Sequence, residues 1–174
     1  MKTWWSWPIA ASVVVLALGG CGLGRDSGEE DDGPALSPQT LAEVKIVVKE
    51  IEVEIAGHVP DSVRLGIREK TQGVLTGCAP GGAVWGSSTA VDVSEQPDLG
   101  VLESRLRHDW TRGSDFEFEL TRGSTDEPRL VLRSSTLGNY WVQRRESVLQ
   151  VVSFSTCFDY DEARDGYDWE IAAE

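Results

Sequence analysis

The chain reads as an α+β protein: an antiparallel sheet of about five or six strands, two helices packed on one face, and one disulfide. Three observations carry this expectation. An amphipathic stripe opens the folded part, alternating strand patterns joined by short turns fill most of the rest, and a second helical stripe interrupts them. Consecutive strands with short connections favour an antiparallel meander, and polar alternation suits a sheet with one solvated face.

The first helix begins after Ser37-Pro38 with a capping box, Thr40-x-x-Glu43. Leu41, Val44, Val48, Ile51 and Ile55 follow at steps of three and four, and Gly57 stops the pattern. A competing pattern lies inside it, because Ile51-Glu52-Val53-Glu54-Ile55 alternates as a half-buried strand would. The cap and the Glu and Lys content favour the helix.

Beyond Val59-Pro60-Asp61 the pattern changes to strands. Val63, Leu65 and Ile67 alternate with Ser62, Arg64 and Arg68, and Thr71-Gln72-Gly73 turns the chain into Val74 to Cys78. Pro80-Gly81-Gly82 is a strong turn. Trp85, Ser87, Thr89, Val91 and Val93 then share one face of a strand. Pro97 and Asp98 open the second helix, with Leu99, Leu102, Leu106 and Trp110 on one side and Gly113 expected at its end. Arg105, Arg107 and His108 near its C-terminus suit the helix dipole.

The last third is a run of strands. Phe116, Phe118 and Leu120 face one way, Leu130 and Leu132 belong to the next strand, and Leu137-Gly138-Asn139 turns into Tyr140-Trp141-Val142. Val148 to Phe154 is the most apolar strand. The turn at Arg145-Glu146-Ser147 is weakly marked, so residues 139–156 read equally as one bent strand or two. One domain is expected over 37–158, with a flexible acidic tail over 159–174. In that tail seven acids face a single Arg164. Tyr160, Tyr167 and Trp169 give it some means of packing. An EF-hand frame counted from Asp159 fails at Ala163 and Arg164.

The N-terminal segment supplies an address. Lys2 precedes an apolar run, Ile9 to Leu18, broken only by Ser12. A spanning helix needs about 20 apolar residues, so the run suits a signal peptide over residues 1–20. It ends in Leu18-Gly19-Gly20-Cys21. This resembles the bacterial lipoprotein pattern, an aliphatic residue and two small ones before a cysteine. The resemblance implies cleavage before Cys21 and its diacylation. Two acyl chains hold a protein to a membrane where one holds it marginally. Residues 21–36 then form a flexible tether rich in Gly and acid, including Glu29-Glu30-Asp31-Asp32.

Net charge bounds the partners. The chain carries 16 basic and 29 acidic residues, net −13. Loss of residues 1–20 would remove Lys2 and no acid. Nucleic-acid binding needs a basic footprint and is excluded on this count. With Cys21 assigned to lipid, Cys78 and Cys157 remain as an even pair in an oxidising setting, and both lie near strand ends. A disulfide between them is expected.

Catalytic motifs are not evident, and no enzyme activity, cofactor or metal is expected. His58 sits at the first helix exit, where capping explains it. His108 and Asp109 are adjacent and so do not face each other on a helix. Gly86-Ser87-Ser88 lies within a strand pattern and is no nucleophile elbow. Trp85, Tyr140 and Trp141 are candidates for a contact face, with core burial as the competing role.

The anchor motif, acidic tether, amphipathic helix, α+β domain and late Ser155-Thr156-Cys157 together resemble small lipoproteins of high-GC Gram-positive bacteria. The resemblance implies a domain held at the cell membrane on its extracytoplasmic side. It suggests a non-enzymatic interaction module whose partner is an envelope protein or wall component. The alternative is an extracytoplasmic small-ligand-binding or hydrolytic lipoprotein.

Overall fold

The computed structural model describes residues 35–123 and 126–167. Cys21, residues 1–20 and most of the tether lie outside them, as do tail residues 168–174. Helix α1 spans Leu41–Gly57. It starts at Thr40, whose side chain accepts the Glu43 N–H at 3.3 Å while the Glu43 carboxylate accepts the Thr40 N–H at 2.8 Å. Those Thr40 contacts hold the Glu43 carboxyl below its ordinary pKa. The predicted stripe of Leu41, Val44, Val48, Ile51 and Ile55 is buried, which excludes the competing strand pattern.

Strands β1 (Arg64–Glu69), β2 (Val74–Ala79) and β3 (Gly82–Val93) follow. Helix α2 covers Leu99–Asp109, with the Asp98 carboxylate capping Gly100 and Val101 N–H groups. It ends four residues before Gly113, because Trp110 turns into extended backbone to bury its indole. A 3-10 turn at Gly113–Asp115 leads into β4 (Glu117–Arg122), β5 (Pro128–Ser134), β6 (Gly138–Arg145) and β7 (Val148–Phe154). The two-residue β8 (Phe158–Asp159) and a one-turn helix α3 (Glu162–Asp165) complete the described chain.

The α+β class, the antiparallel sheet and the Cys78–Cys157 disulfide stand as expected. The strand count does not: among the described residues the sheet has eight strands, not five or six. Two features account for the excess. Glu146 takes a left-handed conformation at φ 50°, closing a tight turn that splits residues 139–156 into β6 and β7. Short β8 then pairs with Gly82 and Ala83, beyond the end of β7. The main order is β1-β3-β7-β6-β5-β4, with β2 and β8 also pairing with β3. Gly138, at φ 88°, is required at the β5–β6 turn, because a Cβ there would lie 2.3 Å from the Phe154 carbonyl oxygen.

One core joins α1 and α2 to the sheet. Leu102, Leu106, Leu130, Leu132, Tyr140, Val142, Leu149, Val151 and Phe158 are fully buried in it. Trp110 stacks on Phe116 at 5.1 Å between ring centroids, and Phe116 meets Tyr140 edge-on at 5.7 Å.

The acidic tail is corrected over residues 159–167, which pack on the domain. The Ser37 N–H donates to the Cys157 carbonyl at 2.9 Å, and the Asp159 N–H donates to that of Ser37 at 2.9 Å. Asp165 accepts the Leu41 N–H at 3.1 Å, placing a carboxylate at the positive end of α1. Burial pushes the Asp165 carboxyl up. Hydrogen bonds from Arg164 and from the Asp161 and Leu41 backbone outweigh burial and leave its pKa below the ordinary value. Such a group stabilises the fold above its unfolded pKa, and that contribution is lost as pH falls through the depressed folded value. Asp165→Asn should therefore cost about 1 kcal/mol near neutrality, as loss of a helix cap does. The gap from wild type should narrow as pH falls below about 4. Urea melts at pH 7 and pH 3 check this, and an equal gap at both would contradict it.

Candidate functional site

The sheet-facing side of α1 carries one residue that does not belong in an apolar stripe. Glu52 lies one turn after Val48, on the same side of the helix, and is fully buried. A buried carboxylate is costly unless its charge is matched and its lone pairs are filled. Both conditions are met. Oε2 accepts the Thr89 hydroxyl at 2.8 Å and lies 3.0 Å from the Lys49 ammonium, and Oε1 accepts the Ser153 hydroxyl. These partners tie α1 to β3 and β7. Lys49 sits 5.9 Å over the Trp85 ring, adding a cation–π contact.

The surroundings of Glu52 are polar on one side. Ser87 is the register partner of Ser153, and Tyr140 pairs with Ser153 from the other strand. Tyr140 donates to the Leu137 carbonyl at 3.0 Å, and burial and the nearby Glu52 charge push its phenol pKa up, so it stays neutral. The Ser87 hydroxyl and the Trp85 indole N–H are buried with no hydrogen-bond partner among the described residues. Gly73 closes over that indole: a Cβ there would lie 2.2 Å from Nε1. A serine donating to a carboxylate is half of a nucleophile–base arrangement. Ser153 and Glu52 are both sealed from solvent, however, so no substrate reaches the Ser153 oxygen.

Lys49 links this cluster to an open groove. A cavity of about 460 Å³ between α1 and β1 is lined by Ile46, Lys49, Glu50, Val53, Glu54 and Glu69. Glu69 pairs in register with Thr89, and Ile67 with Val91. Directly opposed residues share a face, and Thr89 reaches Glu52 on α1, so Ile67 and Glu69 also point to the α1 side. Ile46 is 59 % exposed and Ile67 36 %. Arg112 lies 3.0 Å from Glu54 and 3.6 Å from Glu50 at the helix end of the groove, and the Trp110 indole N–H donates to Glu54 at 2.8 Å. The lining pairs aliphatic surface with carboxylates, which suits an apolar group carrying positive charge beside it.

The residues singled out from sequence have separate fates. Cys78 and Cys157 are bonded, with Cα atoms 6.0 Å apart. Cys21 lies outside the described residues. His58 caps α1 through its own N–H, and its Nδ1 lies 2.8 Å from the Glu54 carbonyl. His108 is exposed on α2. Trp85 and Tyr140 are core residues, whereas Trp141 is half-buried, stacked on Phe154 at 5.1 Å with Arg129 5.5 Å above its ring. Sequence reading missed Glu52 as a buried group. Its signal was an acid standing four residues after Val48 and three before Ile55. Comparison with protein-family models, curated proteins and solved structures returns no match.

Proposed function

We propose that the protein is a lipid-anchored module of the cell envelope, held through Cys21 at the extracytoplasmic face of the membrane, which binds a partner without chemical turnover. The carrying observation is the short apolar run ending in Leu18-Gly19-Gly20-Cys21. The Cys78–Cys157 disulfide supports an oxidising compartment. Among the described residues no helix is long and apolar enough to cross a membrane, so the lipid on Cys21 is the anchor in this reading.

Both helices form one layer over a single sheet face in this reading. Support comes from the alternate residues Thr89, Val91, Leu149, Val151, Tyr140 and Val142, all buried, and from the shared core with Leu102 and Leu106. The groove beside α1 is the binding surface, because it offers accessible apolar area next to unequal charge.

Replacing Cys21 with Ser tests the anchor. Wild type grown with a labelled fatty acid should carry the label and sediment with membranes. Cys21→Ser should carry no label and leave the membranes in a salt wash. A labelled or membrane-retained variant would overturn the reading.

A further inference from the structure

The groove is continuous with a second feature, the outer edge of β1. β1 begins the strand order and pairs with β3, and among the described residues no strand pairs with its other side. An edge strand presents unpaired N–H and C=O groups to an incoming chain. A β-bulge between Arg64 and Gly66 breaks the regular register, leaving Gly66–Glu69 as the usable edge. Four residues give few main-chain bonds, so side-chain contacts must supply most of the affinity and the selectivity.

We infer that an extended peptide adds to the β1 edge as a further strand, seating one apolar side chain in the groove and, two residues away, one basic side chain against Glu69. Three observations fix this occupant. Sheet spacing is about 4.8 Å, so a strand beyond β1 runs alongside it on the side where the groove opens. Alternate side chains of that strand point to the α1 face, as Ile67 and Glu69 do. Beside Ile67 they meet its partly exposed side chain, and beside Glu69 they meet its carboxylate, at the groove that Ile46 and Val53 also line. Charge favours a base there: Lys49 is engaged by Glu52 and Arg112 by Glu50 and Glu54, while Glu69 at the opening has no ion pair among the described residues. On the opposite face the neighbour is Arg68, already paired with Asp92 at 2.7 Å, so that side sets no comparable requirement. The resulting signature is apolar-x-basic in an extended segment, recognised by strand addition.

This inference rests on the binding-module reading but not on the anchor, since the groove belongs to the folded domain. The test uses the full-length protein in detergent and three fluorescent peptides, with cores Thr-Val-Thr-Lys-Thr, Thr-Val-Thr-Glu-Thr and Thr-Ser-Thr-Lys-Thr. Fluorescence anisotropy should show the first binding at least tenfold more tightly than either other. Glu69→Lys should reverse the preference between the first two peptides, an outcome that misfolding cannot produce. Ile46→Asp, a change at an exposed position, should weaken the first peptide at least tenfold. Leu120→Ala, on the opposite edge strand, should leave it unchanged. N-methylation of alternate peptide amides should abolish binding in one of its two phases. Failure of the Val-Lys peptide to bind, equal binding of its charge-reversed partner, or an unaltered preference in Glu69→Lys would overturn the inference. Insensitivity to both methylation phases would remove the strand-addition geometry.

Discussion

Reduction of the Cys78–Cys157 disulfide should lower the melting temperature by roughly 10–20 °C. The bond joins the end of β2 to the segment entering β8 and closes a sequence separation of 79 residues. In the chain-entropy model a loop of this length is worth about 4.5 kcal/mol, through the freedom it removes from the unfolded chain. Native geometry makes the loss concrete. β2 and β8 both pair with the first residues of β3, and Ser37 bridges to Phe158 beside them. Without the covalent tie, these short pairings at the end of the sheet separate first, taking the contact between Asp165 and the start of α1 with them. Calorimetry with and without reductant checks the value. A midpoint unchanged within about 2 °C would show that the unfolded chain gains no freedom on reduction.

The second large effect should follow from Glu52. Glu52→Ala removes the acceptor for Thr89 and Ser153 and the counter-charge of Lys49, and opens a space in the core. Lys49 keeps access to the groove, so the cost comes from the two hydroxyls left unpaired and from the cavity, about 3 kcal/mol together. Glu52→Gln should cost less, because it keeps the volume and one carbonyl acceptor while leaving Lys49 uncompensated. The combined change Lys49→Met, Glu52→Leu, Thr89→Val and Ser153→Ala should recover most of the loss. Buried polar clusters replaced whole by apolar groups of similar size are often neutral. Urea unfolding measures all three variants. A cost below about 1 kcal/mol for Glu52→Ala would mean that the carboxylate is not carrying the contact between α1 and the sheet.

Elements governed by local chemistry were legible in the sequence. Thr40 and Glu43 placed the start of α1, Asp98 placed that of α2, and the alternation from Trp85 to Val93 gave the buried face of β3. Cysteine parity gave the disulfide. Features set by distant neighbours were not legible. Glu52 looks solvent-facing in an alternating pattern, and only Thr89 and Ser153, far along the chain, make its burial tolerable. Leu65 belongs to an alternating apolar set, yet it is 71 % exposed, because β1 is an edge strand with a bulge at that point. The tail reads as self-repelling acid. Asp165 nevertheless finds the Leu41 N–H, 124 residues away, and Arg164 binds Asp159 and Asp165 beside it. The groove arises from the same non-local pairing, since Glu69 and Val53 face each other only once β1 lies on β3.

The anchor is the claim on which the envelope role depends, and the N-terminal peptide of the protein isolated from its native membranes tests it most directly. Mass spectrometry of that peptide should find a chain beginning at Cys21, with a mass increase matching two acyl chains on a thioether-linked glycerol. An unprocessed peptide beginning at Met1, or a Cys21 thiol open to alkylation, would contradict the account.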